Sequence, residues 1–134
     1  MSDESRLQAP QRFPFPKRYR LTKTDEFSSV FGFRRAIRGQ WLMLHYQPSQ
    51  DAARGARIGL VVGKKQFKHA VDRNRVKRIV REQFRLRREA LPAFDLVVRL
   101  HAKQAPLTGP ALARDLNDLL DRLVRRCRKE EENG

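Results

Sequence analysis

The sequence has 134 residues, and 30 lysines and arginines against 15 aspartates and glutamates give a formal net charge of +15. This length favours one domain, and a hydrophobic content of 40% is enough for one modest core, which argues against wholesale disorder. No apolar run is long enough to span a membrane, the N-terminus lacks the apolar region of a secretory signal, and Cys127 has no second cysteine to pair with. We therefore expect a cytoplasmic protein, without a membrane partner, that binds a polyanion.

The N-terminal third combines a polar segment with a short amphipathic one. Residues 1–17 are polar and rich in proline, and we expect a flexible arm there. Thr24 followed by two acids predicts a helix start, because threonine caps helices and acids suit the positive end of the helix dipole. Phe27 and Phe31 lie four residues apart on its apolar face, and Gly32 would let the helix end.

Three segments are typical of β-strands. Residues 41–46 (WLMLHY) form the first, and residues 57–63 (RIGLVVG) form the second, whose unbroken apolar run indicates burial on both faces. The polar loop 48–55 between them makes these two strands a candidate hairpin. Residues 94–100 (FDLVVRL) predict the third strand.

Residues 72–88 have helical periodicity with two contrasting faces. The first face is mainly apolar and holds Val76, Ile79, Val80, Gln83, Phe84 and Leu86. The opposite face is polar and mostly basic, and it holds Asn74, Lys77, Arg78, Arg81, Arg85 and Arg88. A strand, this helix and a further strand in succession predict a βαβ unit with parallel strands.

A proline-containing start signal at 108–110 precedes leucines at helical spacing that continue to Cys127. This pattern predicts a long helix with a charge-neutral outer face. Residues 129–134 are expected to form a flexible tail, so that the folded domain spans residues 18–128. The predicted fold is α+β: a single-domain α/β sandwich with a small mixed sheet, about three helices and a βαβ crossover.

Two segments carry the whole net charge. Residues 64–88 hold eleven basic and two acidic side chains, for +9, and residues 12–40 hold eight basic and two acidic ones, for +6. A one-sided basic helix is typical of nucleic-acid contact, although it could instead be a solvated face. Residues 12–40 also interleave aromatic and basic side chains, as single-strand binding sites do. The alternative for Phe27 and Phe31 is a place in the core.

Catalytic signatures are missing from the sequence. The three histidines, at 45, 69 and 101, do not have metal-ligand spacing, and the basic segments contain too few acids for a metal-binding carboxylate pair. We therefore expect a binding protein with no catalytic residue, no metal site and no cofactor of its own.

The stretch from Arg57 to Arg81 (RIGLVVGKKQFKHAVDRNRVKRIVR) closely resembles the protein subunit of bacterial ribonuclease P. That family is characterised by a strand ending in two lysines, followed by an Arg-Asn-Arg helix start. The segment from Arg20 to Phe31 resembles the family's first helix, and the similarity extends over about residues 18–128. The resemblance implies a left-handed βαβ crossover. It also implies an endoribonuclease that removes the 5′ leader of precursor tRNA, in which the RNA subunit catalyses the reaction with Mg²⁺ and protein oligomers are not required.

The resemblance further implies two RNA-facing sites. The surface facing the catalytic RNA would comprise Lys64, Lys65, Arg73, Asn74, Arg75, Lys77, Arg78 and Arg81. A cleft between the first helix and the sheet would hold the leader, and it would comprise Phe27, Phe31, Trp41, Met43 and Arg20. The strand side chain that faces the leader could be Trp41, Met43 or His45.

Two other functions are compatible with the composition. The first alternative is a basic structural or ribosomal RNA-binding protein without processing activity. The second is a nuclease that acts alone. Cleavage of precursor tRNA that requires both the protein and ribonuclease P RNA would distinguish the family function from both.

Overall fold

The structure, a computed structural model, describes residues 15–101 and 108–133. It contains four strands and three helices: α1 (Thr24–Phe33), β1 (Ala36–Arg38), β2 (Leu42–Pro48), β3 (Arg57–Val61), α2 (Ala70–Arg87), β4 (Phe94–Leu100) and α3 (Gly109–Asn133). Short 3₁₀ turns lie at Lys17–Tyr19, Ala52–Arg54 and Arg88–Ala90. The predicted α+β fold with a mixed sheet is confirmed. None of the helices in these ranges is long and apolar enough to cross a membrane.

The sheet has the strand order β1-β2-β4-β3. β2 is antiparallel to both β1 and β4, and β3 is parallel to β4. The predicted βαβ unit with parallel strands is therefore confirmed for β3, α2 and β4. The predicted hairpin of β2 and β3 is wrong, because β4 lies between them. β4 is the strand with the longest buried run, and a strand buried on both faces takes a central place in a sheet.

The two faces of the sheet are covered unequally. α2 and α3 pack on one face around a large core that includes Phe84, Leu44 and Leu116. On the other face, α1 forms a smaller cluster of Leu21, Val30 and Val97, with Phe27 and Val61 at its margin. Within residues 15–101 and 108–133, α1 is the one helix that covers the second face.

A close approach between α1 and the sheet depends on Gly59. A Cβ atom at this position would lie 2.5 Å from the Cζ of Phe27. Only a residue without a side chain lets the phenyl ring rest on β3 in this way. Phe27 is thus partly buried against the sheet, which anchors α1.

Both ends of α1 differ from the sequence prediction. Thr24 is the first helical residue rather than the cap, and the Glu26 carboxylate accepts the backbone N–H groups of Thr22 and Lys23 at 2.9 and 3.0 Å. An acid in the first turn can reach back in this way and satisfy free N–H groups. The helix passes Gly32 and ends at Phe33, and the next residue, Arg34, adopts a left-handed conformation with φ of 62°.

The expected domain boundaries also differ from the structure. Phe15, which was placed in the arm, packs edge-on against Phe84 with ring centroids 6.0 Å apart. At the other end, α3 continues through residues 129–133, and Glu130 accepts a hydrogen bond from Arg35 at 2.8 Å. An apolar contact and an ion pair thus hold segments that composition alone marks as polar. The rest of the expected arm, residues 1–14, and residue 134 lie outside the described residues.

Leu86 was predicted to face the core but is 63% exposed. It lies at the edge of the apolar stripe of α2. Its neighbour Arg87 takes the position facing α3 and donates to the backbone oxygen of Asn117 at 2.9 Å.

Candidate nucleic-acid interface

The part of α2 up to Arg81 and the loop before the helix present a positively charged surface. We call this surface the basic ridge, and it comprises Lys64, Lys65, Asn74, Arg75, Lys77, Arg78 and Arg81. Five of these side chains are exposed, and Lys77 and Arg81 are half-buried. Over residues 15–101 and 108–130, none of the ridge cations forms an ion pair with a carboxylate. The ridge charge is therefore available to an external anion.

Arg73 belongs to the predicted RNA-facing set but has contacts within the protein. Its Nη1 donates to the backbone oxygens of Phe67 and Lys68, at 2.8 and 3.0 Å. These bonds fix the loop that joins Lys65 to α2. Arg73 thus positions the ridge, a role that a helical wheel cannot show for a residue in the first turn.

Arg20 lies beside α2 and not between α1 and the sheet, so its predicted place in the cleft is wrong. Its Nη2 donates to the backbone oxygen of Phe15 at 2.8 Å. Burial lowers the pKa of Arg81, and the nearby charge of Arg20 lowers it further. Arg20 forms an isolated bridge with Ile58, whereas its neighbour Leu21 is buried beneath α1. Successive side chains of an extended segment point to opposite faces, so Arg20 is directed away from the cleft.

From Arg85 onwards, the arginines of α2 bind protein groups. Arg85 pairs with Glu82, and Arg87 pairs with Asp121 of α3 at 2.6 Å. Arg88, just after the helix, donates to the backbone oxygens of Ala56 and Arg54, and its guanidinium lies 3.6 Å from the centroid of the Tyr19 ring. Arginines here therefore join α2 to its neighbours.

A second candidate site lies where α1 leaves part of the sheet uncovered. We call it the α1 cleft, and it comprises Phe31, Met43, His45 and Arg99. Phe31 is 37% exposed, and its ring meets the His45 ring edge-on with centroids 4.7 Å apart. In the sheet register Met43 pairs with Arg99 and His45 pairs with Val97. The cleft thus has an aromatic wall and a floor formed by two strands.

Trp41 is not part of this cleft, and that prediction is wrong. It is 9% exposed and belongs to the core that α3 covers. The Asp115 carboxylate of α3 accepts the backbone N–H groups of Gln40, Trp41 and Leu42, each at 2.9 Å. These bonds draw the start of β2 towards α3, on the opposite side of the sheet from Phe31.

Sequence reasoning missed Arg99 and left His45 as one of three candidates. Arg99 Nη2 lies 3.3 Å from Met43 Sδ, and Arg99 Nε lies 3.5 Å from His45 Nε2. Burial lowers the pKa of His45, and the charge of Arg99 lowers it further. The signal that could have found Arg99 is a single charge within the otherwise apolar run of residues 96–100.

An ion-pair network closes the other end of the face that α1 covers. Arg57 of β3 donates to Asp95 of β4 through two nitrogens, at 3.0 and 3.1 Å, and to Glu26 of α1 at 3.0 Å. All three side chains are largely buried. The network fixes the N-terminal end of α1 to the sheet and so sets the position of Phe31 further along the helix.

Sequence comparison finds related proteins over most of this chain. A family described as Ribonuclease P matches residues 15–124. The ribonuclease P protein component of Azoarcus sp. (strain BH72) is 57% identical over 105 residues, which cover 78% of this chain and 86% of that protein. The ribonuclease P protein component of Burkholderia pseudomallei (strain 1106a) is 44% identical over 121 residues, with 83% of this chain and 86% of that protein covered.

Solved structures give the same result. The RNase P protein from Thermotoga maritima has a TM-score of 0.67 and 27% identity, covering 77% of this chain and 96% of its own. A Staphylococcus aureus RNase P protein has a TM-score of 0.70 at 23% identity, which supports the fold alone and covers 77% of this chain and 93% of its own. The chain therefore belongs to the ribonuclease P protein component family, the protein subunit of an endoribonuclease whose catalysis is carried by RNA.

Proposed function

We propose that this chain binds the catalytic RNA of ribonuclease P through the basic ridge and the 5′ leader of precursor tRNA through the α1 cleft. By doing so in the cytoplasm, it promotes endonucleolytic removal of the leader. The observation that carries the proposal is the basic ridge itself, whose cations have no carboxylate partner within the described part of the chain. Mg²⁺ belongs to the RNA subunit in this proposal, and the protein supplies binding.

The ridge is suited to an RNA backbone for two reasons. Arginine presents a planar fork of donors that matches a phosphate, and a row of cations displaces the counterions that surround RNA. The first turn of α2 adds backbone N–H groups at the positive end of the helix dipole. Together these features favour RNA contact at the N-terminal end of α2 over contact at its C-terminal end, where the arginines bind protein groups.

The α1 cleft is suited to a single strand. Phe31 offers an exposed ring for base stacking, and the adjoining floor provides a sulfur, an imidazole and a guanidinium. Single-stranded RNA is commonly held by stacking on aromatic side chains. Because a mature tRNA has no leader, a contact at this cleft would favour the precursor over the product.

Reconstitution tests the proposal. The purified protein, ribonuclease P RNA and precursor tRNA are mixed at low Mg²⁺, and 5′ cleavage is measured with each component omitted in turn. We expect rapid cleavage only when both protein and RNA are present, because the protein offsets repulsion between the two RNA molecules. Cleavage by the protein alone would identify a nuclease, and RNA binding without faster cleavage would identify a structural RNA-binding protein.

Mature tRNA provides the matched control for the leader contact. Added as a competitor, it should displace the precursor from the protein–RNA complex less effectively than an equal concentration of unlabelled precursor. Equal competition by the two would contradict a leader contact while leaving the contact with the catalytic RNA intact.

A further inference from the structure

Among the residues that the structure describes, the guanidinium of Arg99 has no strong hydrogen-bond acceptor. Its two neighbours are the Met43 thioether at 3.3 Å and His45 Nε2 at 3.5 Å, a weak acceptor and a distant one. No carboxylate among residues 15–101 and 108–130 pairs with it. Arg99 is half-buried, and its guanidinium lies between these two weak partners. The side chain therefore has donors to offer to a group from outside the protein.

Arg99 lies in the part of the cleft that α1 leaves uncovered. α1 rests on the neighbouring row of the sheet, with Phe27 over Gly59 and Phe31 against His45. Arg99 is aligned instead with Met43 on β2 and Val61 on β3. Its guanidinium thus forms the floor of the cleft beside the exposed ring of Phe31.

Building on the proposed function, we propose that Arg99 selects a guanine in the leader of precursor tRNA. The base would pack against Phe31 and Met43, and its O6 and N7 atoms would accept two hydrogen bonds from the guanidinium of Arg99. Bases of single-stranded RNA are recognised in this way, by stacking and by hydrogen bonds along an edge.

Guanine is the base whose edge matches a donor fork. Its O6 and N7 are adjacent acceptors, which arginine binds through two nitrogens. Adenine places an amino donor next to N7, and cytosine presents an amino donor, so each would face the guanidinium with a like group. Uracil offers one carbonyl oxygen at the corresponding position. The expected order therefore has guanine first.

The surroundings of Arg99 favour a base over a backbone phosphate. The guanidinium lies between a thioether and an imidazole, and the imidazole in turn meets the phenyl ring of Phe31; these groups suit the flat face of a base. Burial and the charge of Arg99 lower the pKa of His45, which disfavours a positive charge on its ring. The basic ridge, in contrast, is exposed and has several cations together.

A leader series tests the proposal in the reconstituted holoenzyme. Precursor tRNAs carry a leader of adenines in which a single guanine is moved one position at a time, and kcat/KM is measured for each. With the unaltered protein we expect one position at which guanine is preferred over adenine by about tenfold. The variant Arg99→Lys retains the charge but loses the fork, and we expect it to lose this preference.

The matched control is Arg125→Lys, which makes the same change at an exposed residue of α3, outside both sites. It should keep the guanine preference. Binding of each variant to the catalytic RNA alone, through the ridge, shows that the protein is folded. A leader in which 7-deazaguanine replaces the guanine tests the contact without any protein variant, and it should lose most of the preference because N7 is absent.

Three results would overturn the inference: no position with a guanine preference, a preference that Arg99→Lys retains, or 7-deazaguanine acting as well as guanine. An equal loss for every leader in Arg99→Gln, restored by Arg99→Lys, would indicate a phosphate contact and would also overturn it. If the unaltered protein accelerates no precursor at all, the proposed function fails and this inference fails with it. Acceleration without base preference contradicts this inference alone.

Discussion

In the N-terminal half of α2, Arg75 and Arg78 are exposed and have no ion-pair partner among the residues that the structure describes. In the C-terminal half, Arg85 and Arg87 pair with carboxylates, and Arg88 just beyond binds two backbone oxygens. Both halves are rich in arginine but have different surroundings. α3 and the 3₁₀ turn at Ala52–Arg54 supply acceptors to one half, whereas the other half faces solvent and a loop rich in lysine.

This difference separates two uses of arginine that composition cannot distinguish. An arginine whose donors are bound to carbonyls or carboxylates stabilises the fold, and little of its charge is left for RNA. An exposed arginine without a partner contributes little to stability, since even an exposed ion pair stabilises a protein only weakly. Its charge still attracts phosphate. The net charge of +15 therefore overstates how many basic side chains are available to contact RNA.

The largest effect is expected at Arg57, an arginine whose donors are bound to two carboxylates of the protein itself. Arg57→Met would leave the buried carboxylates of Asp95 and Glu26 without their cation. Removing one partner from a buried ion pair is strongly destabilising, and we expect the free energy of unfolding to fall by about 3 kcal/mol. Urea unfolding measures this loss, and the affinity of the folded variant for the catalytic RNA should be unchanged.

The triple variant Arg57→Met, Asp95→Asn and Glu26→Gln provides the control. It removes the charges of the network together, so we expect it to be more stable than Arg57→Met alone. A triple variant less stable than the single one would show that Asp95 and Glu26 stabilise the protein through contacts other than their ion pairs with Arg57.

The next effect compares the two halves of α2 directly. We expect Arg75→Ala with Arg78→Ala to weaken binding to the catalytic RNA by about tenfold and to lower the slope of log affinity against log salt by about 1.5, since two phosphate contacts are lost. The unfolding free energy should not change, because neither side chain has a partner within the described chain. Filter binding over a salt series measures the slope.

The matched variant is Arg85→Ala with Arg88→Ala. It also removes two positive charges, one from the last turn of α2 and one from the residue just after the helix. We expect it to lower stability and to leave the salt slope nearly unchanged. If both double variants reduced the slope equally, the distinction between partnered and free arginines would have no bearing on RNA binding.

An effect of similar size separates the ridge from the α1 cleft. Phe31→Ala removes the exposed ring, and we expect the affinity of the holoenzyme for precursor tRNA to fall by about tenfold, the range of one base stacked on an aromatic ring. Affinity for mature tRNA should stay the same. Leu86→Ala is the control, because it shortens an exposed apolar side chain on α2 and should affect neither. Equal losses for precursor and mature tRNA would contradict the leader contact.

The sequence predicted well where one local pattern decides the structure. The amphipathic period of α2 and the apolar run of β4 gave both elements and their parallel connection to β3. The ridge residue Arg78 followed from the same period, whereas Arg75 was named through the family resemblance. Local pattern did not predict the strand order, because β2 meets β4 across about fifty residues of chain, and pairing over that distance depends on which strand is buried most.

The sequence also failed to place Trp41, Arg20 and Arg99, because the orientation of each depends on distant parts of the chain. Trp41 is aromatic and adjoins the cleft strand, but three backbone hydrogen bonds to the distant Asp115 turn it to the other face. Arg20 has its direction fixed by a bridge to Ile58. Arg99 was missed because a single charge in a strand gains meaning only when the opposite strand and α1 show which face it occupies. Each of these orientations depends on residues far away in the sequence.

The smallest effect concerns the pH dependence of stability and involves Glu26, a carboxylate partner of Arg57. Although burial raises the pKa of Glu26, the backbone N–H groups of Lys23 and Thr22 and the guanidinium of Arg57 outweigh it, so the pKa of Glu26 lies below its ordinary value of 4.5. A carboxyl whose pKa is lower in the folded state contributes stability above its unfolded pKa and loses that contribution as pH falls through the folded value. Glu26→Gln cannot titrate, so its melting temperature should fall less steeply than that of the unaltered protein below pH 4.5, while the two curves run parallel near neutral pH. Parallel curves throughout the acid range would show that the bonds from Lys23, Thr22 and Arg57 do not favour the charged form, and the cap of α1 would then depend on hydrogen-bond geometry alone.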